Sequence, residues 1–186
     1  MTISTKRMTA RQFLLLGEDP PGVRLELVNG EVAVSPSPTP DHQEIVLALG
    51  SLLREHVQSH NLGRVFLEVD TILGRHEVRR PDLLYFSTAR LNQIGKKSVK
   101  GPPDLCVEVV SFRSRQTDRK RKFDLYRKSG VAHDWIVDPT ARTIEAHRLE
   151  EGEYVLAGKG AGREEVRLAP FEELGIPLGM IWPASK

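Results

Sequence analysis

The sequence predicts a mixed α/β (α+β) fold in which helices flank a central mixed sheet. Segments with apolar residues at helical spacing alternate along the chain with short apolar segments typical of strands. Their order is helix, hairpin, long helix, strands, helix, strands, which suits a layered sheet with helices better than a sandwich or a bundle. No segment between them resembles a linker, so we expect one domain over residues 1–186.

Local signals place the first elements. Thr9, followed three residues later by Gln12, forms a capping box that predicts a short helix. The segment LELVNGEVAV predicts two strands joined at Asn29 and Gly30, a strong hairpin signal. The SPSPTP segment is expected to be extended, because a residue before proline is disfavoured in the helical region.

A long helix is predicted after Asp41, which we interpret as its cap. One face of this helix is apolar and consists of Ile45, Val46, Leu49, Leu52, Leu53 and Val57. The alternating segment from Gly63 to about Gly74 predicts one strand. Pro81 opens a second predicted strand, DLLYF, and DLCVEVVS is typical of a third, buried strand.

The second half of the chain begins with a basic amphipathic helix, predicted from about Arg115 to Lys128. Gly130 stands just past its end, where glycine commonly terminates a helix. Strands are then predicted near HDWIVD, TIEAHRL and EYVLAG, followed by a short polar tail. Trp135 and Trp182 are interpreted as packing residues.

Composition excludes several classes of protein. With one cysteine, Cys106, the chain has no internal disulfide and no thiolate cluster for zinc. No window offers the roughly 18 consecutive apolar residues of a membrane span, and the first residues lack the apolar core of a secretory signal. We therefore expect a protein of the cytoplasm that does not enter a membrane.

The charge is balanced overall and concentrated locally. The net charge is only +2, but eight Lys/Arg residues lie between Arg113 and Lys128 against two acids, Asp118 and Asp124. Such a run is either a solvated helix face or a contact surface for nucleic acid.

Two carboxylates occupy unusual positions in the predicted strands. Asp82 stands at the start of one apolar strand, and Glu108 lies in the middle of LCVEVV. A carboxylate among apolar residues is costly to ionise unless it is paired or binds a metal. The alternative is an aspartate at a strand end and a glutamate on an edge strand, both facing water.

A lysine near these carboxylates would complete a hydrolytic site. The position two residues after Glu108, on the same strand face, is Val110, so the nearest candidate is Lys122 on the following helix. Asp118, Lys122 and Tyr126 recur every four residues on one helix face. Tyr126 is equally compatible with a half-buried packing role.

The motifs LELVNGE, TPDH, RRPDLLYF, GPPDLCVEVVS, DRKRKFDLY and GVAHDWIVDP, in this order, resemble the PD-(D/E)XK nuclease superfamily. Within it they resemble the Uma-type putative restriction endonuclease family of bacteria. The resemblance spans about residues 25–149. It implies a restriction-endonuclease-like core and an endonuclease that hydrolyses DNA.

The resemblance also implies roles for individual residues. Asp82 and Glu108 would hold a divalent cation with the Val109 carbonyl, and Lys122 would be the catalytic lysine, displaced from strand to helix. His42, at the start of the long helix, and Glu26, in the hairpin, would complete the catalytic set. Helix-start histidines more often cap or pack, and only the resemblance gives His42 a function.

This residue set suits phosphodiester hydrolysis. A hard cation polarises the phosphoryl group and lowers the pKa of bound water, and Mg²⁺, with Mn²⁺ as substitute, prefers carboxylate oxygens. Arg119, Lys120 and Arg121 would contact the DNA backbone. Because cleavage of both strands commonly takes two sites, a homodimer is expected. Two alternatives stay open: a catalytically silent binding module on the same fold, and a metal-dependent hydrolase of a small phosphorylated substrate.

Overall fold

The structure is a computed structural model that describes residues 7–110 and 117–184. Its helices are α1 (Ala10–Phe13), α2 (Pro40–Ser59) and α3 (Thr117–Ser129), with 3₁₀ turns at Thr88–Gln93 and Leu178–Met180. The strands are β1 (Val23–Val28), β2 (Glu31–Pro36), β3 (Gly63–Leu67), β4 (Thr71–Gly74), β5 (Glu77–Arg79), β6 (Leu83–Ser87), β7 (Val99–Lys100), β8 (Leu105–Val109), β9 (His133–Asp138), β10 (Thr143–Glu150), β11 (Glu153–Ala161), β12 (Glu165–Leu168) and β13 (Phe171–Pro177).

These strands form two mixed sheets and a separate hairpin. The larger sheet has the order β11-β10-β9-β8-β6-β3 and is antiparallel except for the parallel pair β8–β9. The smaller sheet has the order β2-β1-β5-β4-β7, and only β4–β7 is parallel among its pairs. The predicted α/β fold with a mixed sheet is confirmed, although the chain builds two sheets rather than one.

The main core lies between α2, the six-stranded sheet and the C-terminal hairpin β12–β13. The apolar face of α2 is buried as predicted, with Leu52 partly buried. Trp135 is fully buried and donates a 2.7 Å hydrogen bond from Nε1 to the Ala169 carbonyl. Trp182 belongs to the same core, so both tryptophans pack as expected.

The end of the chain differs from the predicted polar tail. It forms the hairpin β12–β13, which buries Leu168, Phe171 and Ile176. The apolar residues here are separated by charged ones and prolines, so they lack a long periodic pattern. Their burial depends on the distant partner Trp135, whose ring lies 6.2 Å from that of Phe171.

The N-terminal elements follow their local signals closely. The capping box of Thr9 and Gln12 is present, and Asn29 and Gly30 both have the positive φ that a tight hairpin turn requires. The cap of α2 is Thr39 rather than the predicted Asp41, because its side chain accepts the His42 N–H at 3.3 Å. Pro40, which lacks an N–H, then suits the first helical position.

The predicted strand from Gly63 to Gly74 is in fact two strands in different sheets. The break falls at Glu68, whose φ is 51°. The chain leaves the six-stranded sheet here, forms β4 and β5 in the other sheet, and returns at Asp82, just before β6. The Glu68 N–H donates to the Asp82 carbonyl at 3.3 Å. The two crossing points are therefore adjacent in space.

No helix in residues 7–110 and 117–184 is both long enough and apolar enough to span a bilayer.

Candidate functional site

Asp82 is the most buried carboxylate at the crossing between the two sheets, with 2% of its surface exposed. Its Oδ2 accepts the Val109 N–H at 2.8 Å. Its Oδ1 lies 3.1 Å from His42 Nε2 and 3.3 Å from Arg24 Nη1. Burial alone would raise the pKa of Asp82, but the contact with His42, the charge of Lys122 and the Val109 N–H lower it below the ordinary value. Asp82 is thus held as a carboxylate.

Glu108 lies on β8, next to Asp82. In the antiparallel pairing Leu83 faces Val107, and continuing this register by one residue sets Asp82 opposite Glu108, on the same sheet face. Glu108 Oε2 accepts from Lys122 Nζ at 2.9 Å, and Oε1 accepts from the Tyr126 hydroxyl at 2.5 Å. Burial, with the charges of Asp82 and Glu26, raises its pKa to about 7 although Lys122 and Tyr126 oppose the shift.

Lys122 connects the two sheets. From α3 its Nζ reaches Glu108 on the six-stranded sheet at 2.9 Å and Glu26 Oε1 on β1 of the other sheet at 3.6 Å. Glu26 is itself fixed, because its Oε1 accepts the Arg80 N–H at 2.8 Å. Two residues before Lys122, Lys120 is exposed, as expected for positions about 200° apart on a helix. The helix therefore presents one lysine to two acids, one from each sheet.

A second group of ligand atoms surrounds Asp82. Three side-chain atoms lie within 4.8 Å of one another, one each from His42, Glu68 and Asp82. His42 Nε2 is buried and has no aligned hydrogen-bond partner among the described residues, despite its closeness to Asp82. Arg24 contacts both Glu68 and Asp82, and Gln43 Nε2 donates to Glu68 at 2.9 Å.

The structure thus brings Asp82, Glu108, Lys122, His42 and Glu26 into one cluster at the junction of the sheets. Val109 contacts Asp82 through its amide, and Val110, beyond it, donates its N–H to Val137 at 2.8 Å. Tyr126 is fully buried, so its packing role and its contact with Glu108 coexist.

The predicted DNA contacts lie on α3. Lys120 and Arg121 are both exposed there. Arg119 falls within the helix, but its side chain lies outside the described residues, as does that of Asp118.

Sequence reasoning missed Glu68 and Arg24. Glu68 stands in FLEVD, where the alternation indicates an ordinary solvent-facing strand position, and nothing local signals the turn of the chain there. Arg24 is an exposed-type residue in a hairpin strand, and its partners are 44 and 58 residues away in sequence.

Comparisons with known proteins agree with this fold. A crystal structure of a putative nuclease from Anabaena variabilis ATCC 29413 superposes with a TM-score of 0.76 at 23% sequence identity. The match covers 94% of this chain and 97% of that one. A search of curated proteins found no match. Residues 10–179 match the family Uma2, described as "Putative restriction endonuclease", and the chain therefore belongs to that family.

Proposed function

We propose that the protein is a metal-dependent endonuclease that hydrolyses DNA phosphodiester bonds through Asp82, Glu108 and Lys122. The observation that carries this proposal is the opposition of buried Asp82, just before β6, and partly buried Glu108, on the neighbouring β8, with Lys122 Nζ 2.9 Å from Glu108. Family membership and the description of the Anabaena protein as a nuclease support the same reaction class.

The donor set fits a divalent cation. Asp82 is kept ionised at low exposure, and carboxylate oxygens are the ligands that Mg²⁺ and Mn²⁺ prefer. His42 Nε2, which lies 3.1 Å from Asp82 Oδ1, is a further ligand atom for a cation at this place. We assign the cation to Asp82, Glu108 and the Val109 carbonyl, and we assign His42 and Glu68, whose side-chain atoms group with Asp82, as further ligands. A bound cation would polarise the phosphoryl group and acidify a water molecule.

Lys122 is assigned to the attacking water. Its ammonium lies between Glu108 and Glu26, and three donors with no acceptor let it orient a water and stabilise charge that develops on phosphate oxygens. Glu26 holds Lys122 from the other sheet and is a positioning residue. His42 attracts the Asp82 carboxylate at 3.1 Å and orients it.

The exposed Lys120 and Arg121, with Arg119, are assigned to the DNA backbone, since neutralising phosphates supplies most non-specific affinity. We further propose that residues 1–186 act as one domain, as a homodimer, in the cytoplasm.

A catalytically silent nucleic-acid- or protein-binding module is the second candidate. Two observations favour it: Val110 replaces the strand lysine, and both Glu108 oxygens are already occupied, by Lys122 and Tyr126. In that case the charged cluster would serve only to join the two sheets.

Plasmid nicking separates these candidates. Supercoiled DNA is incubated with the protein in Mg²⁺, Mn²⁺, Ca²⁺ or EDTA, with Glu108→Gln as the matched inactive variant. We expect nicking in Mg²⁺ and Mn²⁺, and DNA binding with little turnover in Ca²⁺, whose looser shell positions water less well. Nicking in EDTA excludes the metal mechanism, and metal-independent binding without nicking favours the silent module.

A further inference from the structure

Arg24 occupies an unusual place for an arginine, inside the candidate metal site. From β1 its guanidinium contacts Glu68 with Nη2 and lies 3.3 Å from Asp82 Oδ1 with Nη1. Its side chain is 13% exposed, and the Asp82 side chain is 4% exposed. One planar cation thus bridges the two carboxylates that mark the crossing points of the chain.

Glu68 and Asp82 also form a group of possible metal ligands with His42. One ligand atom from each of these three residues lies within 4.8 Å of the other two. Ligands of a small divalent cation lie about 2.0–2.2 Å from it, so opposed ligand atoms are about 4 Å apart. The guanidinium and a cation would therefore use the same oxygens. They cannot do so together without placing positive charges side by side.

This repulsion is not removed by loss of a proton from Arg24, because the guanidinium stays positively charged. Burial tends to lower its pKa, but the charges of Glu68 and Asp82 more than offset this and raise it above the ordinary value. An arginine stays protonated in proteins.

We propose that the Arg24 guanidinium binds the carboxylates of Glu68 and Asp82 in the metal-free protein. It is displaced from them when a divalent cation binds. Its planar fork matches the geometry of a phosphate, so the displaced side chain becomes available to the substrate at the moment the metal arrives. The inference rests on the proposed metal-dependent function.

The first test is the affinity for Mn²⁺, measured by calorimetry without DNA. Arg24→Gln removes the competing charge, so we expect Mn²⁺ to bind more tightly, by on the order of tenfold. Arg24→Lys retains the charge and should bind much as the parent does. Arg80→Gln is the matched control, because Arg80 also bridges two carboxylates, Asp19 at 2.5 Å and Asp70 at 2.8 Å, outside the site.

The second test follows the Arg24 side chain itself in the parent protein. Mg²⁺ is titrated into the parent protein while the arginine Nε–H signals are recorded by nuclear magnetic resonance. We expect the Arg24 signal, assigned by its loss in Arg24→Gln, to shift with metal saturation while that of Arg80 stays in place.

The outcomes separate this inference from the proposed function. Metal binding by the parent with an unmoved Arg24 signal, or with equal affinity in a folded Arg24→Gln, overturns the exchange and leaves the nuclease proposal intact. Binding only by Arg24→Gln supports the exchange in its strongest form. Absence of binding by the parent and by every folded variant overturns both.

Discussion

The hydroxyl of Tyr126, on α3, donates a 2.5 Å hydrogen bond to Oε1 of Glu108, on β8. Because Tyr126 is fully buried, no water can replace this bond if the hydroxyl is removed. We expect Tyr126→Phe to lower the free energy of unfolding by about 1.5–3 kcal/mol, the range for a bond to a charged group. Urea unfolding at about pH 8 measures it, where Glu108 is ionised.

Tyr154→Phe is the matched control for this change. The Tyr154 hydroxyl donates to the neutral Val131 carbonyl at 2.9 Å, so its loss should cost only about 0.5–1.5 kcal/mol. Equal losses in the two variants would show that the charge on Glu108 adds nothing to its bond with Tyr126.

The raised pKa of Glu108, about 7 against an ordinary 4.5, links stability to pH. Between these values the folded protein binds the proton more tightly than the unfolded chain, so this group's contribution to stability falls as pH rises. Glu108→Gln removes the contribution. Relative to the parent, the variant should gain stability on the order of 1–3 kcal/mol from about pH 5 to 8 in metal-free buffer. A difference that is constant with pH contradicts this interpretation.

Lys122 and Lys120 should differ sharply in catalysis. Lys122→Gln is expected to lower the cleavage rate by about 10²–10⁴, the usual value of a positioned acid–base group. It should not weaken metal binding, because an ammonium cannot ligate a cation. Single-turnover rates at saturating DNA provide the measurement.

Lys120→Gln is the neighbouring control, since Lys120 is exposed. It should alter DNA affinity modestly and leave the saturated rate nearly unchanged. If both variants cleave like the parent, Lys122 is not catalytic and the silent-module candidate gains support.

The basic face of α3 should set the salt dependence of DNA binding. Replacing Arg119, Lys120 and Arg121 by Gln should weaken binding and reduce the log–log salt slope by about 0.9 for each phosphate that the protein no longer neutralises. Fluorescence anisotropy over a salt series in Ca²⁺ measures the slope.

A triple control uses exposed basic residues outside α3, namely Arg54, Lys159 and Arg163. An unchanged slope in the α3 variant, or the same change in the control, would make the α3 run an ordinary solvated face.

Phe171 tests whether the C-terminal hairpin is part of the main core. Its ring lies 4.8 Å from that of Tyr85 and packs edge-on, and 2% of the residue is exposed. Phe171→Ala should destabilise the fold by about 3–5 kcal/mol. Met180→Ala, at a residue that is 73% exposed, should change stability by less than about 0.5 kcal/mol. Similar thermal midpoints for the two variants would contradict the packing.

Sequence reasoning succeeded where a residue's environment is encoded by its neighbours. The apolar residues around Glu108 identify a buried strand, and the four-residue spacing of Lys122 and Tyr126 places them on one helix face. The same reasoning treated the segment containing Glu68 as continuous strand, because alternation persists on both sides of the break. The change of sheet there depends on pairing with distant strands, which periodicity does not record.

The C-terminal hairpin and Arg24 were missed for the same physical reason. Phe171 is buried by Tyr85 and Trp135, which precede it by many residues, and Arg24 takes its position from Glu68 and Asp82. Local patterns predict elements well, but they do not predict which elements meet.

The position of Glu68 and Asp82 at the two crossings has a consequence for the newly synthesised chain. Glu26 and Arg24 come from the five-stranded sheet, and Glu108 and Val109 come from the six-stranded one. A folding intermediate with one formed sheet therefore carries only part of the cluster, and the last strand of the larger sheet emerges late in synthesis. If the cluster cleaves DNA, hydrolytic competence appears only after both sheets have formed and met.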